Sequence, residues 1–438
     1  MNVVRELGDA ARYERQLERM HLRYAGTRRL YELVHDGASL ADLVHDKRKV
    51  ARLIARAVRE GSYVLTPALR YRALVDRERE LCRFALCDFV VHGVVAEVLD
   101  EVIGERLSPR LYSFRRGRSN WQALRDFARF VRAHRRLRPD PRARGLYVLR
   151  ADVRRFCESV PLATGSPLWP LLRTTLGLDR AGTEAAWALV EGVVRPTVLD
   201  AAAAPSVPFV GMPFGSPVTN VVLNLYLGDV DTALDRVDGA FYARFGDDLV
   251  FAHVEPEQVR RAEAALHERV TARGLTLSAH KLKRLWFNGA ARPSVAWPEA
   301  QPTTQVTLLG GEVRFDGTLA LPREKWRGLV RDLRARIAGA AALTRGAPRE
   351  ERAAALCAVA DELLTEGAPM AHPFASLLGH VVTSREQLGA LDREVALAVA
   401  EALSGRRGPR AWRELSWAEL RERHGLPSLV ARRNRGRR

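Results

Sequence analysis

The 438-residue sequence predicts an α+β protein. The two halves of YARFGDDLVFAH (242–253) alternate with the period of a strand, and GLYVLRADV (145–153) is a short, largely apolar run of strand length. Longer stretches such as WQALRDFARFVRAHRR (121–136) place apolar residues every three or four positions, the spacing of one helix face. Strand-like and helix-like runs follow one another without the regular strand–helix–strand beat of a parallel sheet.

Residues 1–60 are charge-rich and helical in pattern, with Leu30, Leu33, Val34, Leu40 and Leu43 as the expected apolar face. Basic turns then alternate with helices from Tyr63 to Leu137. In the last of these helices Trp121, Leu124, Phe127 and Val131 share a face, with Arg125, Arg129 and Arg132 largely on others, and Ser119 is placed to cap its start. GLYVLRADV reads as a strand ending near Asp152. Gly211 to Pro217 holds two glycines and two prolines in seven residues, which demands a shaped loop whose backbone can approach a ligand. A helix-like stretch from Val218 to Leu234 follows, burying Val222, Leu225 and Leu234. Tyr242 to His253 reads as a β-hairpin with Gly246, Asp247 and Asp248 at its tip. Glu257 to Arg273 is a helix stopped by Gly274. After Pro322 the chain is helix-rich, punctuated by Gly346, Pro348 and Gly408-Pro409, and RRNRGRR at its end reads as a disordered basic tail.

Asp152, Asp247 and Asp248 would bring three carboxylates to adjacent strand ends. Such a set can hold two Mg²⁺ ions, which activate a nucleophilic oxygen, steady a leaving group and bridge triphosphate oxygens. Net charge is +18, and arginine dominates the basic count, which favours a polyanionic partner. The 47% apolar share is ample for a core. Four cysteines (Cys82, Cys87, Cys157 and Cys357) make neither a CxxC pair nor a zinc spacing and read as buried thiols in a reducing compartment. Neither an apolar signal core nor a membrane-length apolar run is present, so the expected setting is cytoplasmic with no membrane partner.

Taken in order along the chain, these residues resemble the reverse transcriptase family, especially its bacterial branch of group II intron proteins, retrons and defence-associated enzymes. LSPRLYSFRRGRSNWQAL (Leu107 to Leu124) is similar to the family's fingers motif. Asp152, Phe156 and Glu158 match its first catalytic motif, and Gly211, Pro213, Gly215, Ser216, Pro217 and Asn224 its second. Asp247 and Asp248 match the third, Gly274, Leu275 and Lys281 the fourth, and Leu309 and Gly310 the fifth. The resemblance implies a right-hand polymerase: fingers, a palm with an antiparallel sheet, and a helical thumb, with helical N- and C-terminal extensions. The implied division is 1–60 as the N-terminal extension, 61–320 as fingers and palm, and 321–438 as thumb and C-terminal region with its basic tail.

By the same resemblance Asp152 and Asp247 are the main ligands of two Mg²⁺ ions, with Asp248 beside them, the backbone carbonyl of Val153 completing a sphere, and Mn²⁺ as a substitute. Arg79, nine residues before Asp88, occupies the place of a fingers arginine that grips the triphosphate, with Arg72 and Arg83 as rivals on that surface. Gly215 and its loop line the nucleotide, Asn224 matches a polar position of the pattern, and Lys281 a lysine near the leaving pyrophosphate. Arg115, Arg116 and Arg118 suit phosphate contacts. PREKWRGLVRDLRARI resembles the start of a thumb, with Trp326, Leu329, Leu333 and Ile337 inward and Arg327, Arg331 and Arg334 toward a duplex backbone.

Two positions depart from the pattern. Cys157 stands where the family carries a bulky ring against a ribose 2′-hydroxyl, and Phe214 where it carries a glutamine. Phe214 would then supply part of the missing ring. The implied function is RNA-directed DNA synthesis from nucleoside triphosphates on an RNA template, giving a DNA product. A dedicated non-coding RNA and a role in antiphage defence are compatible with that branch. The rival readings are an RNA-templated RNA polymerase, a template-independent polymerase, and a maturase-like RNA-binding protein without catalysis.

Overall fold

The computed structural model describes residues 1–34, 37–74, 78–138, 145–200 and 204–435. The chain forms two compact units, each assembled from two segments: Met1–Arg118 with Leu149–Lys283, and Ser119–Val148 with Arg284–Arg438. Residues 1–60 therefore pack within the first unit, and the Asn120–Leu137 helix within the second, a partition that the linear order does not follow.

The first unit holds β1 (Ala68–Leu74), β2 (Glu78–Arg83), the end of β3 (Gly145–Asp152), β4 (Val198–Leu199), β5 (Pro205–Ser206), β6 (Phe241–Phe245) and β7 (Asp248–His253). β1 and β2 form an antiparallel hairpin, and β4 joins β1 in parallel. β7 runs antiparallel to β6, with Phe245 opposite Asp248, and has β3 as its other neighbour. All of β3 except Arg150 is buried, so this largely apolar strand is covered on both faces. At the N-terminus Leu30, Leu40 and Leu43 are buried, whereas Leu33 is 67% exposed and drops out of the expected apolar face. The Ala10–Tyr24 helix is bolted to the Leu86–Ile103 helix by buried Arg12, whose guanidinium meets Glu97 at 3.0 Å and Glu101 at 2.7 Å while also holding Glu6.

In the second unit the start of β3 neighbours β8 (Lys283–Asn288), and β8 pairs in parallel with β9 (Gln301–Thr303), so strand pairing is mixed and not purely antiparallel. β10 (Gln305–Leu308), β11 (Gly311–Arg314) and β12 (Leu319–Ala320) form an antiparallel sheet. Gly145 is required where it stands, since a Cβ there would fall 1.9 Å from the Trp286 ring. Ser119 caps the helix as expected, in a capping box with Gln122, and Leu124, Phe127 and Val131 are buried. Leu329, Leu333 and Ile337 of the Arg323–Leu343 helix are buried as expected.

Three further expectations change, two in this unit and one spread over both. Arg334 is occupied by Glu394 at 2.9 Å and by Glu401, so it is not free to face a duplex. The supposed tail is helical through Arg435, held by Asp392 accepting from Ser428 Oγ at 2.7 Å and Leu429 N–H at 2.8 Å, and by Arg432 on Asp361. Residues 436–438 of that segment lie outside the described residues. Of the four thiols only Cys157 and Cys357 are buried; Cys82 and Cys87 are half-buried.

Candidate active site

The β6–β7 turn is made by Gly246 and Asp247, with Gly246 in the left-handed region (φ +65°) and Asp248 already the first residue of β7. The end of β3 is stitched to it: Val153 N–H donates to Asp247 O at 3.1 Å. Next to them, Ser278 N–H donates to Asp152 O at 2.8 Å and Arg154 N–H to Thr276 O at 2.9 Å. Three backbone links thus bring Asp152, Asp247, Asp248 and Lys281 to one place. Lys281 Nζ lies 2.5 Å from Asp152 Oδ2, and this bond raises the ammonium above its usual range. Burial, then the Asp247 and Asp152 charges, push the Asp248 carboxyl up to about 6. Arg150, two residues before Asp152 and so on the same strand face, is pulled below the usual guanidinium range by burial while Asp248 and Asp152 pull it back.

A second layer supports the turn. Arg244 is fully buried and bidentate on Asp231, with Nε to Oδ1 and Nη2 to Oδ2 both at 2.7 Å. Its Nη2 also donates to Asn224 O at 3.0 Å and its Nη1 to Gly246 O at 3.1 Å, so the guanidinium grips the turn's own backbone. Tyr242 OH donates to Asp231 Oδ1 at 2.6 Å. Sequence reasoning missed this network, and its one local signal is an arginine inside an apolar strand, two residues from a tyrosine on the same face. The motif around Leu111 docks on this strand's edge, Tyr112 N–H donating to Arg244 O at 2.9 Å and Arg244 N–H to Arg110 O at 3.0 Å.

The Gly211–Pro217 loop is clamped between the helical turn after β3 and β2. Met212 N–H donates to Cys157 O at 2.8 Å, and Cys82 N–H to Phe214 O at 2.7 Å. Gly215 has φ +107°, and a Cβ there would sit 2.6 Å from Cys82 O, so only glycine fits. Ser216 caps the Pro217–Tyr226 helix and bonds His92 Nδ1 at 2.8 Å. His92 is kept neutral by burial, which lowers it to about 3. Arg79 lies over the Phe214 ring, 5.3 Å from its centre. Buried Cys157 turns its thiol to Met212 O at 3.6 Å.

The family pattern described as reverse transcriptase (RNA-dependent DNA polymerase) matches residues 90–313, just over half of the chain, and spans all three carboxylates. The chain belongs to the reverse transcriptase family. Its mixed helices and sheets are the fold expected of that family. Among solved structures it is similar to apo telomerase from Candida tropicalis (TM-score 0.44, 10% identity, 82% of this chain and 59% of that one). It is also similar to telomerase from Candida albicans in complex with a TWJ fragment of telomeric RNA (TM-score 0.42, 10% identity, 77% and 59%). This chain thus spans less than two thirds of those telomerase chains. No curated protein matches its sequence.

Not every residue that the sequence nominates for this reverse transcriptase lies open to a ligand. Asn224 is buried, its amide donating to Ser113 O at 3.0 Å and accepting from Ser113 Oγ at 3.1 Å, which makes it a support of the loop helix and not a nucleotide contact. Arg115 is committed to Ser108 O at 2.8 Å and Gly104 O at 3.1 Å, so it shapes the basic turn from within. Arg116 and Arg118 are exposed, Arg118 lying over the Tyr112 ring. In the other unit Arg327 and Arg331 are exposed on the Arg323–Leu343 helix.

Among the described residues no three His, Cys, Asp or Glu side chains converge as a ready-made metal cage. Mg²⁺ does not need one, because it is commonly held by one or two carboxylates with substrate phosphates and water completing the octahedron. The carboxylate oxygens gathered here, with Asp248 raised by burial and then by the Asp247 and Asp152 charges, are chemically suited to such a cation.

Proposed function

We propose that this chain is an RNA-directed DNA polymerase that adds deoxynucleotides to a primer 3′-hydroxyl on an RNA template. The observation that carries the reading is the gathering of Asp152, Asp247 and Asp248 at stitched strand ends inside the region that matches the family. These carboxylates would hold two Mg²⁺ ions, with Mn²⁺ as a substitute. When bound, the ions lower the pKa of the primer hydroxyl and neutralise charge on the triphosphate. The chain's own contribution is positional. Lys281 holds Asp152 and offers a cation to the departing pyrophosphate. Arg79 and Phe214 form one wall for the nucleotide, and Gly215 lets backbone approach it. Arg116 and Arg118 face phosphates of the template, and Arg327 and Arg331 those of the duplex.

The chain's basic balance supports an RNA partner. We extend the reading to a dedicated non-coding RNA template in a cytoplasmic, bacterial, defence-type enzyme. Among the described residues no helix is long and apolar enough to cross a membrane.

Primer extension by the full chain tests this, supplying deoxy- or ribonucleoside triphosphates with RNA or DNA templates. The expected result is a DNase-sensitive product complementary to the RNA. A product sensitive only to RNase, or one independent of template, would transfer the assignment to the rival polymerase readings. Absence of product with retained RNA binding would favour the maturase-like one.

A further inference from the structure

The Arg323–Leu343, Arg349–Leu364 and Arg385–Ser404 helices line a half-open cavity of about 680 Å³ together with the turn after Ser404. Five arginines line it against a single carboxylate, Glu401. That carboxylate is already spent, one oxygen on Arg334 and the other on Gly408 N–H at 2.7 Å. Arg406 is balanced by Glu414 at 2.5 Å, but Arg345 and Arg407 are exposed and have no ion-pair partner among the described residues. Arg352 donates one Nη2 bond to Ala402 O at 3.1 Å, while its Nε is buried without any hydrogen-bond partner. The remaining wall is largely alanine, including Ala338, Ala341 and Ala398.

We infer that this cavity is a second nucleotide site, one that takes a nucleoside polyphosphate independently of the carboxylate site. Guanidinium forks match phosphate oxygens bidentately, and exposed Arg345 and Arg407 present theirs at this wall. The volume is that of a small-molecule pocket. Alanine methyls leave a shallow apolar wall against which a flat base can lie. A concave pocket of this size suits a single nucleotide better than a strand, which needs an extended groove.

Titration of ATP into the full chain in excess EDTA tests the site, because arginine-held phosphates need no divalent ion. Saturable binding is expected, with inorganic triphosphate competing and adenosine not. Arg345→Ala/Arg407→Ala should weaken it at least tenfold at an unchanged unfolding midpoint, and Arg345→Lys/Arg407→Lys by less. Absence of saturable binding in the wild type, or equal affinity in the double alanine variant, would overturn the inference. So would a 5′-phosphorylated RNA that occupies the pocket and is not displaced by ATP.

Discussion

Beneath the β6–β7 turn, every nitrogen of the buried Arg244 guanidinium is matched, by Asp231, Asn224 O and Gly246 O. At the tip of the same turn and the adjoining end of β3, burial and then the Asp247 and Asp152 charges push the Asp248 carboxyl up to about 6. Charge matched within the fold serves as scaffold here, whereas crowded carboxylates, even with Lys281 on Asp152, leave the ionised form of Asp248 disfavoured at the cost of some folding stability. Both sets meet at one hairpin, so the contrast can be broken from either side.

The largest effect on stability should come from the scaffold. Arg244→Met leaves Asp231 buried without its cation, and an unpaired buried charge costs about 3–5 kcal/mol. Chemical denaturation should show that loss, and Arg244→Met/Asp231→Leu should recover most of it. A smaller effect is expected at Gly215, where Ala meets both φ +107° and a carbonyl oxygen 2.6 Å away. Strain of about 1–3 kcal/mol should shift the loop, raising KM for the nucleotide more than it lowers kcat.

Asp248→Asn should do the reverse of Arg244→Met. A carboxyl raised from 3.8 to about 6 opposes folding once ionised, so its penalty is absent below about pH 4 and complete above about pH 6. The variant should be more stable by about 1 kcal/mol at pH 7.5, after allowing for partial exposure, and no more stable at pH 4. Phe214→Ala removes the Arg79 contact, worth about 0.5–1 kcal/mol. If Phe214 also guards the sugar, ribonucleotide incorporation should rise relative to deoxynucleotide in the same assay; unchanged discrimination would remove it from that role.

The carboxylates and the glycine–proline loop are legible in the sequence because strand ends, turns and positive-φ glycines are local features. Arg244 and Asp231 lie on a strand and a separate helix, and no periodicity announces their pairing. The same blindness turned Asn224 and Arg115 into ligand contacts: their residue types suit nucleotides and phosphates, but Ser113, Ser108 O and Gly104 O claim them in the fold. The joining of Ser119–Val148 to the C-terminal part is likewise a matter of long-range packing.

Asp247→Ala puts both halves of the contrast into one sample, through thermal unfolding and RNA-templated primer extension measured side by side. Loss of a repelling charge from the tip should leave the unfolding midpoint equal or higher while extension disappears. Extension retained at the wild-type rate, or a midpoint lowered by several degrees, would contradict the assignment of this turn to chemistry and of Arg244 to its support.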